Sequence, residues 1–370
     1  MRLDRSLSLI SASLIAGILL AGGLVTLAGQ RALLRDAQTI QIEDASTVLS
    51  TVMEQAATLS ATHSEAIGAD ADIAGLMTSG DRAALLAHAA PLLARLDAGG
   101  GINVLHFHTP DMTSFLRVWE PDNFGQDLST FRPMVVAVNR DRRTRKGLEL
   151  GLKGLSLRAV SAIETPRGLA GTVEIGVDLT ALLHLAKAAT GADYALFLDP
   201  AAAVRQDGTR LDGKAGLALE AATEAAFFGT LQQASAIELS RAPKFTTYKT
   251  EGRIFGVMGR PLLDYSGNLI GTIVIARDFT SLESHLSRAF VTLAVISICG
   301  FLIAFPLFMS AIRAFVIRPL GDLAASCAMD AGAVAPPPSS RLRDYLDLRA
   351  GIERLRAGQD AAAGDRGEAP

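Results

Sequence analysis

Arg117 and Trp119 stand two residues apart in the run Ser114-Phe-Leu-Arg-Val-Trp119. On an extended strand that spacing turns both side chains to one side. A planar guanidinium fork beside an indole face suits an anionic small-molecule ligand that also carries an apolar part. Arg132 and Arg158 would add positive charge to such a pocket. The competing role for Arg117 is an internal ion pair with Glu149 or Glu174, which would leave Trp119 as core filling. His106 and His108 have the same spacing on a neighbouring strand. Two histidines so placed can hold a metal. No cysteine is available, however, and no third ligand stands at a diagnostic spacing. They are therefore expected to be packed or hydrogen-bonded residues lining the sheet, with no metal, and to titrate near neutral pH if they line a pocket. The candidate ligand-binding set is Arg117, Trp119, Arg132, Glu149, Arg158, His106 and His108.

Arg140, Arg142, Arg143, Arg145 and Lys146 form a basic cluster, expected to be a solvated loop, with lipid head groups or a polyanion as the alternative contact. The chain holds no phosphate loop, G-x-S-x-G step, zinc-helix motif or dinucleotide fingerprint. The reading is therefore of a protein that is not an enzyme and needs no cofactor. Lys plus Arg number 35 and Asp plus Glu 38 among 370 residues, a net charge of −3. That balance argues against a nucleic-acid partner. Charged residues are only 20% and hydrophobic ones 49%, against about 25% charged in ordinary soluble domains. The apolar excess points to membrane spans.

Two runs account for it. Leu7 to Gly29 carries no charge over 23 residues, and Ala289 to Ile312 none over 24; about 20 suffice to cross a bilayer as a helix. The first run exceeds the apolar core of a cleaved signal peptide and is read as a transmembrane anchor at 7–29, with the second span at 289–312. Arg313 and Arg318 favour a cytoplasmic C-terminus. Residues 1–6 are then cytoplasmic, and 30–288 lie outside a bacterial inner membrane, in the periplasm. The cysteines, Cys299 and Cys327, fall outside that region, so no disulfide framework supports it.

The elements that must position the candidate residues follow from periodicity. From Gln30 to about Ile67 there is no Pro or Gly, and Leu34, Ile40, Ala45, Val48, Val52 and Leu59 recur at roughly helical spacing. A long stalk helix is predicted there. Asp72 to Leu96 continues it, with breaks expected at Gly80 and Pro91 and an end at Gly99-Gly100-Gly101. The stalk helices occupy 30–98. Strands are predicted at Ile102–Thr109, Ser114–Trp119, Gly147–Leu150, Leu155–Glu164 and Leu169–Val177, with helices over Leu128–Asn139 and Thr180–Thr190. A second group, Asp193–Leu198, Lys244–Lys249, Arg253–Leu262 and Asn268–Ala276, encloses a helical Leu217–Leu231. The fold class is α+β: a helical stalk, two successive units at 99–190 and 191–280, and two flanking transmembrane helices.

The stretch His106-Phe-His-Thr-Pro, Ser114-Phe-Leu-Arg-Val-Trp119, Phe124-Gly-Gln-Asp-Leu-Ser and Phe131-Arg-Pro133 resembles double Cache sensor domains. So does its continuation in Gly147-Leu-Glu-Leu-Gly151, Gly154-Leu-Ser-Leu-Arg158 and Gly171-Thr-Val-Glu-Ile-Gly176. These are the tandem PAS-like extracytoplasmic domains of bacterial chemoreceptors and sensor kinases. The resemblance spans about residues 30–280. It implies a long N-terminal helix carrying two small antiparallel sheets, with the ligand in the membrane-distal unit, 99–190.

Ile317-Arg-Pro-Leu320, followed by Leu323, resembles the entry to a HAMP linker, a parallel four-helix bundle shared by two chains. That resemblance implies a homodimer, with Pro319, Leu320 and Leu323 in the signal relay and Pro319 breaking the helix just inside the membrane. The linker is expected at 313–357. Its second half is degenerate, because Asp344-Tyr-Leu-Asp347 replaces the usual acidic-Glu-Ile-Gly step. Residues 358–370 have a composition that cannot form a core and are expected to be disordered. No output domain follows, so the expected protein is a sensor working through a separate cytoplasmic partner. The rival expectations are a truncated receptor and a membrane-anchored binding protein that does not signal.

Overall fold

The computed structural model describes residues 3–151, 154–201, 216–328 and 346–355. It divides into two compact units, Leu34–Glu283 and the remaining residues at both ends.

The 34–283 unit is built on helix α1 (Leu3–Gly68). Its buried stripe is Ile42, Ala45, Leu49, Ala57 and Ile67, interleaved with Ser46, Ser60 and Ser64. Ile40 and Leu59, expected in that stripe, are instead more than half exposed. Small residues bring the helix backbone close to the sheets, so Ala and Ser occupy positions that sequence reading gives to larger side chains. Asp70 starts α2 (Ala71–Ser79) by accepting hydrogen bonds from the backbone N–H groups of Asp72 and Ile73, and left-handed Gly80 ends it. Asp81 caps α3 (Arg82–Gly100) in the same way. The break predicted at Gly80 is present, but Pro91 lies within a continuous α3. Pro91 is exposed, so water can satisfy the carbonyl that its missing N–H leaves free.

The first sheet comprises β1 (Ile102–His108), β2 (Ser114–Arg117), β3 (Arg145–Gly151), β4 (Gly154–Thr165) and β5 (Gly168–Val177), with α4 (Pro133–Asp141) between β2 and β3. Its order is β2-β1-β5-β4-β3, all antiparallel. After α5 (Leu179–Thr190) the pattern repeats. β6 (Asp193–Leu198), β7 (Ala218–Ala222), α6 (Ala225–Gln233), β8 (Lys244–Thr250), β9 (Arg253–Leu263) and β10 (Leu269–Asp278) form a sheet of order β7-β6-β10-β9-β8. Strand β7 falls in the segment expected to be helical. Ala-Leu-Glu-Ala-Ala favours a helix locally, but pairing with β6 overrides that preference.

Alternation along the strands separates the two faces of each sheet. Leu105, Phe107, Leu148, Leu157, Val173 and Ile175 turn toward Leu49 of α1, Ile73 of α2 and Leu85 of α3. Leu196, Leu198, Leu262 and Ile275 of the second sheet join the same core. The opposite face of the first sheet receives Met134, Val135 and Val138 of α4 against Val160. That of the second receives Phe228 and Leu231 of α6 against Ala195, Phe197, Val257 and Val274. The two modules also meet through backbone: Tyr265 N–H donates to the Leu148 carbonyl at 2.9 Å. Gly147 (φ 147°) makes that approach possible, since a Cβ there would lie 2.7 Å from the Tyr265 Cβ.

The other unit contains the beginning of α1 and most of α7 (Thr280–Ile312), two helices long and apolar enough to cross a membrane. Their Leu20, Val25, Leu302 and Ile303 side chains are each more than 60% exposed, as lipid-facing residues would be. Pro319 does not break the chain's helical course. A π-turn over Arg313–Ile317 leads into α8 (Arg318–Ala328), and Arg318 N–H donates to the Arg313 carbonyl. The wider turn accommodates the proline ring and its missing donor. A further helix covers 346–355. The middle of the expected linker, 329–345, and the 358–370 tail lie outside the described residues.

Candidate functional site

The face of the first sheet under α4 carries most of the buried charge among the described residues. Pairing of β1 with β5 sets His106 opposite Glu174 and His108 opposite Thr172. Pairing of β4 with β5 sets Val160 opposite Glu174 and Arg158 opposite Gly176, and β3 adds Glu149 opposite Ser156. Arg132 enters from the residue before α4. Arg117 ends β2, across from His106. His106, His108, Arg117, Arg132, Glu149, Arg158 and Glu174 are all between 0% and 4% exposed.

Glu174 is the hub. Its Oε2 accepts from Arg132 Nη2 at 2.5 Å, and its Oε1 accepts from Arg158 Nη1. Arg132 also donates Nε–H to Glu149 Oε2 at 2.8 Å. The other oxygen of Glu149 accepts from Met134 N–H at 2.9 Å, a carboxylate at the positive end of α4. Pro133 opens that helix without a donor to satisfy. The histidines are oriented by hydroxyls: His106 Nε2 lies 2.8 Å from Ser114 Oγ, and His108 Nδ1 2.8 Å from Thr172 Oγ1. Their other ring nitrogens face Glu174 Oε2 at 4.0 and 3.5 Å. Trp119 meets the His106 ring edge-on, centroids 5.7 Å apart.

Arg117 differs from the other two arginines. It donates to the Asn123 carbonyl at 2.6 Å, Asn123 Oδ1 at 2.8 Å and Gln126 Oε1 at 2.7 Å. The partners that sequence reading offered it, Glu149 and Glu174, are taken by Arg132 and Arg158. Strand β2 stops at Arg117, so Trp119 stands in the following turn rather than on the same strand, yet it still reaches His106. The loop carrying Asn123 is held from outside by Arg82, which donates to the Pro121 carbonyl at 3.0 Å and stacks 3.4 Å above the Phe124 ring.

Burial would raise the pKa of Glu174, but Arg132 and Arg158 outweigh it and hold the carboxyl well below its usual range. Burial likewise opposes the Arg132 charge, and Glu174 and Glu149 more than restore it. Both histidines are pushed down, first by burial, with the neighbouring His108 adding to the effect on His106. The buried part of the site therefore holds neutral histidines, three guanidiniums and two carboxylates, an excess of one buried positive charge, with the exposed Glu120 carboxylate acting on Arg117 from the loop side.

A pH prediction follows. Unfolded histidine takes up a proton near pH 6.5, whereas the folded pair resists until lower pH. Below that value the unfolded state binds more protons, so acidification destabilises the fold. Protonation of Glu174 acts in the same direction at still lower pH. Melting between pH 7.5 and 5 should show stability falling below pH 6.5 with a slope that approaches, for each histidine, about 1.4 kcal/mol per pH unit. A His106→Asn, His108→Asn variant should show a flatter profile.

His106, His108 and Glu174 bring three potential ligand atoms within 4.8 Å of one another. Distance would admit a metal ion, but charge opposes it. Glu174 is already neutralised by two guanidiniums, and a divalent cation would deepen an uncompensated buried positive charge. Sequence reading missed Glu174 as the centre because it lies 66 residues from His108, on another strand. The available signal was a single charge in the otherwise apolar Gly171-Thr-Val-Glu-Ile-Gly176.

A sequence-family profile described as the double sensory domain of two-component sensor kinase matches residues 37–282. No curated protein matches the chain. Similar solved structures include the periplasmic domain of Vibrio cholerae LuxQ, at 12% identity and a TM-score of 0.41, covering 64% of this chain and 98% of that one. The sensor domain of the V. cholerae histidine kinase DctB has 14% identity, a TM-score of 0.40, and coverage of 67% and 98%. The ligand-binding domain of the Campylobacter jejuni chemoreceptor Tlp3, in complex with L-valine, has 13% identity, a TM-score of 0.40, and coverage of 69% and 95%. With the profile spanning both sheets and the stalk, the chain belongs to the double Cache family of sensory domains.

Proposed function

We propose that the chain is a bacterial inner-membrane receptor without catalytic activity, whose periplasmic first module binds a small anionic ligand at Arg117, His106 and Trp119. The observation that carries this reading is the charge pattern on the sheet face under α4. Arg132 and Arg158 are matched by the buried Glu149 and Glu174, while Arg117 spends its donors on neutral loop oxygens and is flanked on the loop side by the exposed Glu120 alone. A ligand carboxylate would neutralise that excess, and Trp119 would cover its apolar part. Arg132, Glu149, Arg158 and His108 then hold the pocket's shape and charge.

In this proposal ligand binding is relayed through α1 and α7 to a dimeric HAMP-like segment containing Pro319, Leu320 and Leu323, and from there to a cytoplasmic partner. The two apolar helices that flank the sensory unit support the membrane placement. The buried positive excess gives the extracytoplasmic small-molecule reading its chemical content.

The test titrates the full chain in detergent micelles with small carboxylates: acetate, pyruvate, succinate and citrate. For whichever binds, Arg117→Ala should lower affinity about tenfold to hundredfold, the loss of one charge-assisted hydrogen bond. Arg117→Lys keeps the charge and loses the planar fork, and should recover only part of that loss. A folded Arg117→Ala protein with unchanged affinity would make Arg117 a structural anchor for the Asn123 loop.

A further inference from the structure

Arg117 is 1% exposed, yet the acids of the sheet face, Glu149 and Glu174, are bonded to Arg132 and Arg158. The turn after Trp119 supplies its partners instead. Nη1 donates to Asn123 Oδ1 at 2.8 Å, and Nη2 donates to Gln126 Oε1 at 2.7 Å. One side-chain oxygen at each terminal nitrogen is the arrangement that a bidentate carboxylate gives a guanidinium. Glu120 fixes the sense of the Asn123 amide. Its Oε2 accepts from Asn123 Nδ2 at 3.0 Å, and a carboxylate only accepts, so the amide oxygen is the atom left for Arg117. The backbone of Gln126 is pinned to β2, its carbonyl accepting from Ser114 N–H at 2.8 Å, but its side chain can turn away. Residues 120–124 are held from within by Arg117 and from outside by Arg82, through the Pro121 carbonyl and the Phe124 ring.

We infer that Asn123 and Gln126 stand in for the ligand carboxylate, and set the affinity of the first-module site by competing with it for Arg117. The inference rests on the reading of Arg117 as the anion-binding group. A guanidinium buried this deeply is costly without a partner, and the two amide oxygens offset that cost whenever no ligand does. An incoming carboxylate must displace them, with the Gln126 side chain swinging off and the 120–124 turn lifting. The measured affinity is then the intrinsic one reduced by the fraction of molecules in which the amides have moved aside. A carboxylate wins the exchange because it adds its own charge to the same two hydrogen bonds. A neutral molecule of the same shape adds nothing that the amides lack, so the competition selects anions. Because Arg82 belongs to α3, lifting the turn also breaks contacts with a stalk helix.

The experiment is calorimetric titration of the full chain in detergent micelles with acetate, pyruvate, succinate and citrate. It compares wild type with Arg117→Ala, Gln126→Ala and the double variant Asn123→Ala, Gln126→Ala. The double variant should bind the wild type's carboxylate about tenfold more tightly, or bind one of the four that wild type leaves unbound. Its melting midpoint without ligand should not rise, since Arg117 has lost partners. Gln126→Glu supplies a resident carboxylate and should weaken binding about tenfold. Residues that merely shape the pocket would move affinity the other way on truncation to alanine. If the double variant fails to fold, Arg82→Ala loosens the turn from outside the site and should raise affinity in its place; unchanged or weaker binding there overturns the inference. It is also overturned if the folded double variant binds no more tightly than wild type while Arg117→Ala binds about tenfold more weakly, and the anion reading then stands alone. Wild-type affinity in Arg117→Ala would remove the anion reading and this inference with it, as would failure of all four carboxylates to bind any of these proteins.

Discussion

Glu174→Ala should lower folding stability by about 3–5 kcal/mol, the cost of leaving buried charge without its partner. The substitution strips Arg158 of its carboxylate and leaves Arg132 with Glu149 alone. Neither guanidinium can turn to water, because each is 3% exposed. For a unit of this size the melting midpoint should drop by roughly 6–20 °C. Replacing the whole group should cost less than removing its centre: Glu174→Leu combined with Arg132→Met, Arg158→Met and Glu149→Gln, which keeps an acceptor for Met134 N–H, should recover much of the loss, since no buried charge is then left without its partner. If Glu174→Ala melts with the wild type, the network makes no net contribution to the fold.

Phe107→Ala tests the other side of the same strand. Phe107 is fully buried against the stalk helices, and its truncation leaves a cavity in a core that both sheets share. The expected loss is about 3–5 kcal/mol, read by denaturant unfolding. The two substitutions separate in their effect on binding. Phe107→Ala should leave ligand affinity of the folded protein nearly unchanged, because its side chain points away from Arg117 and His106. A large affinity loss without loss of stability would mean that the two sheet faces are not divided as the register of β1 and β5 implies.

Much of this was legible in the sequence. Period-two alternation around His106 and His108 marks a strand with a polar and an apolar face, and the first-module strands fall close to their predicted spans. Composition also gives the two apolar helices. What sequence pattern could not supply was pairing across strands. Glu174 joins Arg132 and Arg158 only because β5 lies between β1 and β4, an order that no local signal encodes. The Ala218–Ala222 strand was hidden by residues that favour helices in isolation, and only its hydrogen bonds to β6 make it a strand. Pro319 misled for the opposite reason: the rule that proline interrupts a helix is sound, but a π-turn upstream of it absorbs the conflict.

Trp119 offers the most direct test of the central claim, because it is the only tryptophan in the chain and stands edge-on to His106 in the proposed pocket. Its emission from the full chain, followed while the small carboxylates are titrated, reports on that pocket alone. The account predicts a saturable change in intensity or wavelength for the carboxylate that binds, with the same midpoint as calorimetry, and loss of that response in a folded Arg117→Ala protein. A carboxylate that binds one-to-one by calorimetry, leaves Trp119 emission unchanged, and binds the Arg117→Ala protein equally well would contradict it.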